Sequence, residues 1–196
     1  MPAINIQFLK AAALISSREE TRYYLNGVCV EARENDVNLI ATDGHRIIAL
    51  NDAADWGESE DRSFTIIIPL DIIADIKLFK PITHGTLTVA EGGKYLLQYC
   101  GRDYLFAPID GTFPDWRRIV PPEVDGKVAQ FNAQYIGDLA KVAKALGDKE
   151  GKVFIHHNGF GPAPISFPGV EGVSCICAVM PIRYGAAPYE CPSWAK

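Results

Sequence analysis

Three segments of the sequence share one pattern of apolar residues, and this repeat constrains the fold more than any other feature. They read INIQFLKAAALI, IPLDIIADIKLF and FNAQYIGDLAKV, and they align on Asn5, Pro69 and Asn132. In every copy, apolar residues follow three, four and seven positions later: Phe8, Leu9 and Ala12; Ile72, Ile73 and Ile76; Tyr135, Ile136 and Leu139. This spacing predicts one apolar helix face per copy.

Residues at the ends of the segments support the helices. Asn5 and Asn132 are typical N-cap residues, and Pro69 suits a first helical turn. Gly147 follows the third segment where a C-cap glycine is expected. The alternative is chance similarity between amphipathic helices. However, the aligned positions are 64 and 63 residues apart, and strand-like sequence follows each copy.

Each predicted helix is followed by runs typical of β-strands. The first copy has GVCVEA, VNLIATD and HRIIALN, the second GTLTVAE, KYLLQYC and DYLFAPI, and the third KVFIHH, APISFPG and GVSCICAVMP. NDVNL and EGGKY are typical of hairpin turns. Each copy is therefore predicted to be a helix followed by about three strands, with a short strand before the helix. The expected fold is α+β, with antiparallel sheets and the helices on one face.

One helix on three or four strands leaves sheet edges open, so two copies are expected to combine. We predict a complete domain over residues 1–122, and half a domain with a C-terminal tail over residues 123–196. The half-domain would expose a sheet edge and an apolar helix face. Homo-oligomerisation would cover them, either by pairing of two half-domains about a two-fold axis or by closure of four chains.

The composition is that of a globular protein, with 48% hydrophobic and 22% charged residues. No run approaches the roughly 20 apolar residues of a membrane span, and the N-terminus lacks a signal-peptide pattern. The five cysteines include no CxxC pair. We expect a cytoplasmic protein with reduced thiols and with no metal or cofactor. The net charge of −5 argues mildly against nucleic-acid binding, although it does not exclude a local basic face.

Patterns of catalytic residues are lacking. The sequence has no HExxH, no GxSxG and no phosphate-binding loop. His156 and His157 would point to opposite faces of a strand. Asp43 and His45 have no nucleophile indicated beside them. We therefore expect a protein that is not an enzyme.

Four further segments carry a resemblance to a known family. They are TRYYLNGV, ATDGHRI, GTFPDWRRIVP and VMPIR, which begin at Thr21, Ala41, Gly111 and Val179. Together, and in this order, they resemble the bacterial sliding clamp, the β subunit of the replicative DNA polymerase. A clamp subunit has three domains of two repeats each. This chain resembles the middle domain plus the second half of the last domain.

The resemblance implies a groove that binds short extended peptides of polymerases and other clamp-motif proteins. It places there Arg22, Leu25, Thr42, Gly44, His45, Arg46, Ile47, Pro114, Arg118, Ile119, Val179, Met180, Pro181, Ile182 and Arg183. The apolar members can form a floor, and the arginines can bind peptide carbonyls or carboxylates. Each segment alone also fits ordinary turn and strand-end chemistry.

The resemblance also implies sequence-independent contact between basic helix residues and the phosphates of duplex DNA. The candidates are Lys10, Arg18, Lys77, Lys80, Lys141 and Lys144, with Lys77 and Lys80 on the second helix. The alternative is an ordinary solvated face, since Asp71, Asp75 and Asp138 dilute the positive charge.

The implied function is that of a DNA replication processivity factor that associates with duplex DNA. Four chains would supply the about twelve repeats of the family's rings. One alternative is a peptide-binding adaptor or decoy that does not encircle DNA. Another is a remnant that binds no clamp-motif peptide.

Overall fold

The computed structural model describes residues 2–33, 35–53, 63–79, 81–183 and 191–195. Its helices are α1 (Ile6–Ala13), α2 (Leu70–Asp75) and α3 (Ala133–Ala145). Its strands are β1 (Ala3–Asn5), β2 (Gly27–Arg33), β3 (Asp36–Thr42), β4 (Arg46–Ala53), β5 (Phe64–Pro69), β6 (His84–Val89), β7 (Tyr95–Tyr99), β8 (Arg102–Phe106), β9 (Phe154–Ile155), β10 (Ala163–Ser166) and β11 (Ser174–Val179). In these residues, no helix combines the length and apolar character that crossing a membrane requires.

The three predicted helices form where the alignment places them. The Asn5 side chain accepts a hydrogen bond from the Phe8 amide at 3.1 Å. The Asn132 side chain accepts one from the Gln134 amide at 2.9 Å. Pro69 immediately precedes α2. Gly147 follows α3 with a φ of +115°, a left-handed conformation that favours glycine at a helix C-terminus. Local capping chemistry therefore sets the helix ends.

The first two repeats exchange their leading strands. β1 of the first repeat pairs with β6 of the second, in the four-stranded sheet β1-β6-β7-β8. In return, β5 of the second repeat pairs with β2 of the first. The leading strand of each repeat thus covers an edge that the other would leave open.

The third repeat extends the sheet of the first. The second sheet has seven antiparallel strands in the order β5-β2-β3-β4-β11-β10-β9. β11 pairs with β4 from Ser174 opposite Asn51 to Val179 opposite Arg46. The antiparallel α+β prediction is confirmed. The domain division between residues 122 and 123 stays a prediction.

The predicted strand before the third helix is not observed in the described residues 81–183. Residues 127–131 instead make isolated backbone hydrogen bonds, at 2.8 Å from Gly159 N to Lys127 O and at 2.8 Å from Ile182 N to Gln130 O. A leading strand needs the sheet of a second repeat, and the third repeat has no such neighbour in the described chain.

Apolar side chains cover both faces of the seven-stranded sheet. On one face, residues such as Leu39 and Ile48 pack with Leu9 of α1 and Leu139 of α3, and α1 contacts both other helices. The opposite face forms a second cluster beneath Trp116. Its buried strand residues are Cys29, Ile40, Ile47, Ala49, Ile67 and Ala178. The candidate site adjoins this second cluster.

Candidate functional site

A cleft of about 210 Å³ lies where β4 meets β11. It is lined by Thr42, Gly44, His45, Arg46, Ile47, Ile119, Pro162, Ala178, Val179 and Met180. Eight of these ten residues belong to the groove implied by the sequence resemblance, and the exceptions are Pro162 and Ala178. Pairing of β4 with β11 brings together residues from two of the four motif segments, and Ile119 adds a third segment to the lining.

The turn between β3 and β4 forms one wall. Gly44 has a φ of +88°, and a Cβ there would meet the guanidinium end of the Arg22 side chain. The same Nη1 donates to the carbonyl of Asp43 at 3.2 Å. The Thr42 hydroxyl donates to the carbonyl of Arg46 at 2.7 Å and accepts from the Gly44 amide at 3.0 Å. The positive φ favours glycine at position 44, because residues with a side chain rarely adopt it.

Contacts from the third repeat hold that wall in place. The Met180 amide donates to the carbonyl of His45 at 2.7 Å. The His45 ring stacks on Tyr135 of α3, with 5.6 Å between ring centroids. Val179 is fully buried, whereas the Met180 side chain is half-buried in the cleft. The turn is therefore fixed by the strand end and by the helix.

Arg46 links the turn to α3 from a buried position. Its side chain is 8% exposed, and Nε lies 2.9 Å from Asp43 Oδ2. Nη1 lies 2.9 Å from Asp138 Oδ2, and the guanidinium sits 4.7 Å from the Tyr135 ring centroid. Burial favours a raised pKa for Asp138, but hydrogen bonds from Lys141 and Arg46 outweigh it and leave that pKa below its usual value. Arg46 is thus a structural link at the cleft.

Trp116 anchors the opposite wall, which carries Ile119. Trp116 is 8% exposed, and its Nε1 donates to Glu31 at 3.2 Å. Arg117 donates two hydrogen bonds to Glu31, at 3.0 and 3.1 Å, and lies 4.4 Å from the Trp116 ring. Burial favours a raised pKa for Glu31, but these hydrogen bonds leave its pKa below the usual value. The sequence interpretation overlooked Glu31, although a charge inside the apolar run GVCVEA was a usable signal.

Seven predicted groove residues lie outside the lining of the cleft. They are Arg22, Leu25, Pro114, Arg118, Pro181, Ile182 and Arg183. Arg22 packs on the Gly44 turn, and Leu25 is in the interior at 3% exposure. Arg118 is exposed beside Ile119 in the chain and pairs with Asp115 at 2.9 Å. Pro114, Ile182 and Arg183 are also exposed, whereas Pro181 is buried.

A second cleft, of about 460 Å³, lies among the helices. Three predicted DNA-contacting residues line it: Lys10, Arg18 and Lys141. The Lys10 ammonium donates to the carbonyl of Ile73 at 3.0 Å and to that of Ile76, so it caps the end of α2. Burial lowers the pKa of Lys10, and the charge of Asp75 partly offsets this. Lys10 therefore has a structural task.

The remaining basic candidates differ in their settings. The prediction that Lys77 lies on the second helix is wrong, because α2 ends at Asp75 and Ile76 is extended with a ψ of 118°. Lys77 and Lys144 are exposed, while Lys141 pairs with Asp138 at 2.6 Å. Lys80 lies outside the described residues.

The family model for the DNA polymerase III beta subunit, central domain, matches residues 6–115, more than half of the chain. The chain belongs to this sliding-clamp family. The beta sliding clamp of Proteus mirabilis is 29% identical over 117 residues, which cover 59% of this chain and 31% of that protein. The clamp of Escherichia coli K12 is 28% identical over 121 residues, which cover 61% of this chain and 32% of that protein.

Solved clamp structures share the fold. The Bartonella birtlesii sliding clamp, bound to griselimycin, gives a TM-score of 0.73 at 18% identity, covering 93% of this chain and 66% of that one. The Streptococcus pyogenes beta subunit gives a TM-score of 0.70 at 16% identity. This match covers 94% of this chain and 66% of that one. The family resemblance and the clamp fold are confirmed. The chain spans about a third of the length of these curated clamps.

Proposed function

We propose that the protein is a non-catalytic, clamp-like replication factor that binds clamp-motif peptides in the cleft between β4 and β11. The observation that carries this proposal is the meeting of eight predicted groove residues in one cleft. Peptide grooves combine apolar pockets for a few anchoring side chains with polar groups that fix the peptide's direction. The proposed partners are a DNA polymerase or other proteins that carry such a motif.

The cleft has the chemistry and size for this task. Ile47 and Ala178 are buried beneath it, and half-buried Met180 and Ile119 flank the opening. A volume of about 210 Å³ suits anchoring side chains of a short peptide. Methionine adapts to different anchors because it is flexible and polarizable. Exposed His45 provides a polar group at the opening.

Met180→Ala is expected to weaken binding of a fluorescent clamp-motif peptide about tenfold or more, measured by fluorescence anisotropy. Losing a contact worth about 1.4 kcal/mol gives a factor of ten in the dissociation constant. Leu105→Ala is the matched control, since Leu105 is 54% exposed on β8 of the other sheet. Its affinity should equal that of the wild type. Absence of binding by the folded wild type would refute the peptide-binding function.

We also propose that the helix side contacts duplex DNA. Arg18 and Lys141 line one cleft among the helices, and Lys144 is exposed on the same helix as Lys141. Two arginine or lysine residues from different elements can then face the phosphates together. This basic region is local, because the chain as a whole carries a net charge of −5. Binding of this kind is independent of sequence and weakens with salt.

The double variant Arg18→Ala/Lys144→Ala should bind duplex DNA less tightly and with a weaker salt dependence. Loss of two phosphate contacts lowers the slope of log affinity against log salt by about 1.8. Anisotropy of labelled duplex DNA across a salt series measures this slope. Lys94→Ala, exposed on the turn between β6 and β7, is the control. An unchanged slope in the double variant, together with retained peptide binding, would favour the adaptor alternative over the clamp.

A further inference from the structure

Strand β5 forms one open edge of the seven-stranded sheet. The carbonyl of Ile67 accepts a hydrogen bond of 3.0 Å from the backbone amide of Ile109, so the backbone groups of Ile67 point away from β2. In an antiparallel strand these directions alternate from residue to residue, so the groups of Thr65 point outward as well. Within the described chain, nothing outside the sheet is hydrogen-bonded to the backbone of Thr65 or to the Ile67 amide.

This edge lacks the features that usually protect an open strand. Protected edges are short, carry charges, or are interrupted by proline or a bulge. Among the other outer strands, β1 and β9 have only three and two residues, and β8 begins with Arg102 and Asp103. β5 instead carries the uncharged run FTIII from Phe64 to Ile68. Of the described edges, β5 is therefore the one best suited to pair with an added strand.

A cleft of about 430 Å³ opens beside the outward-facing residues of β5. It is lined by Thr65 and Ile67, by residues 107–111 and by Phe113. Ile67 is buried in the second apolar cluster, and Phe113 is half-buried against the same cluster. A cleft of this size is typical of ligand-binding sites. It shares no lining residue with the cleft between β4 and β11, so it is a separate site.

One charged side chain, that of Asp110, belongs to the lining of this second site. Asp110 is exposed, and among the described residues its carboxylate has no ion pair or hydrogen bond. The arginines that follow it in the chain are engaged elsewhere, since Arg117 pairs with Glu31 and Arg118 with Asp115. A ligand of this cleft therefore meets apolar walls, outward-facing backbone groups and one negative charge.

We infer that β5 pairs with an extended segment of a partner protein, which adds a strand to the seven-stranded sheet. The backbone of this segment bonds to Thr65 and to the Ile67 amide, its alternate apolar side chains enter the cleft, and a lysine or arginine lies against Asp110. Strand addition of this kind takes its affinity from main-chain hydrogen bonds and its specificity from pockets for alternate side chains.

An NMR titration of the ¹⁵N-labelled full chain tests this inference. The probe is a short synthetic peptide of alternating valine and threonine that ends in one arginine. The amide signals of Thr65 and Ile67 should shift in a saturable way, and their hydrogen exchange should slow, because both amides become donors to the peptide. The same peptide with all its amides N-methylated keeps the side chains but has no backbone donors, and it should bind about tenfold more weakly or worse.

Thr65→Pro should weaken binding of the valine-threonine peptide about tenfold or more, because it removes an outward-facing donor. Proline is tolerated in an edge strand where its nitrogen faces outward, so the fold should be kept. Asp110→Asn keeps the shape of the side chain and should weaken binding about two- to fivefold, the effect of an exposed ion pair. Asp103→Asn is the matched control, an exposed acid on the open edge β8, and should bind as the wild type does.

Two outcomes would overturn the inference. One is the absence of saturable shifts at Thr65 and Ile67 in the wild type. The other is equal affinity for the peptide and its N-methylated form, which would show binding of side chains without an added strand. A clamp-motif peptide bound between β4 and β11 should leave the Thr65 signal in place. Failure at β5 can therefore be distinguished from failure of the peptide-binding function.

Discussion

Trp116→Ala is expected to lower the free energy of unfolding by about 3–5 kcal/mol, the usual cost of truncating a buried aromatic residue. Trp116 is 8% exposed and packs in one cluster with Ile40, Ile67 and Ala178 on the sheet face opposite the helices. Alanine would leave a cavity, and it would remove the hydrogen bond that Glu31 accepts from Nε1 of Trp116. Urea unfolding followed by circular dichroism measures the change.

Trp116→Phe separates the packing contribution from that of the hydrogen bond. It keeps most of the apolar surface but loses the Nε1 donor to Glu31 and part of the indole ring, so about 1–2 kcal/mol should be lost. Equal losses for the phenylalanine and alanine variants would show that the ring's packing contributes little. Because Ile119 follows Trp116 closely in the chain, the alanine variant should also bind the clamp-motif peptide less tightly.

Arg46→Ala is expected to cost about 3 kcal/mol, because it leaves the largely buried Asp43 carboxylate without its cation and leaves Asp138 with only the exposed Lys141. The side chains of Asp43 and Asp138 are 16% and 15% exposed. Because these two carboxylates keep some contact with water, the loss in free energy of unfolding should lie at the lower end of the range for buried ion pairs. The same variant also detaches the β3–β4 turn from α3, which carries Asp138. Urea unfolding at neutral pH measures the loss.

Lys141→Ala is the matched control, since Lys141 pairs with the same Asp138 but is 67% exposed. It should cost less than about 1 kcal/mol, as exposed pairs usually do. Equal costs for the two variants would contradict the structural role of Arg46. The depressed pKa of Asp138 stabilises the fold above the ordinary aspartate pKa of about 3.9, and this contribution is lost as the pH falls through the folded-state value. The difference between wild type and Arg46→Ala should therefore shrink in acid.

Local patterns predicted the helices and nearly all of the strands. Asn5 and Asn132 cap their helices as expected, because an N-cap depends on residues two or three positions away. The motif segments also predicted much of the cleft. The residues supplied by ATDGHRI and VMPIR stand at the facing ends of β4 and β11, which pair in the sheet.

Long-range contacts could not be predicted in this way. No spacing in the sequence shows that Arg46 will reach Asp138 on α3, or that Lys10 will cap the carbonyl end of α2. These contacts depend on how the repeats pack. The same reason explains the absence of the expected strand before α3 in the described residues: residues 127–131 have the sequence of a leading segment, but a strand forms only on the sheet of a second repeat.

The junction of β4 with β11 is important for both the stability of the fold and the proposed function. It attaches the third repeat to the first, and it creates the cleft that neither repeat forms alone. Substitutions that loosen this junction, such as Arg46→Ala, should therefore weaken both stability and peptide binding.

The most direct test of the central claim is methyl NMR of protein labelled with ¹³C-methyl methionine. The sequence contains only two methionines, so the Met180 signal can be assigned through Met180→Leu. A clamp-motif peptide should shift the Met180 signal in a saturable way, while the same peptide with its apolar anchors replaced by alanine should not. A Met180 signal that stays in place at saturating peptide would contradict binding in the cleft.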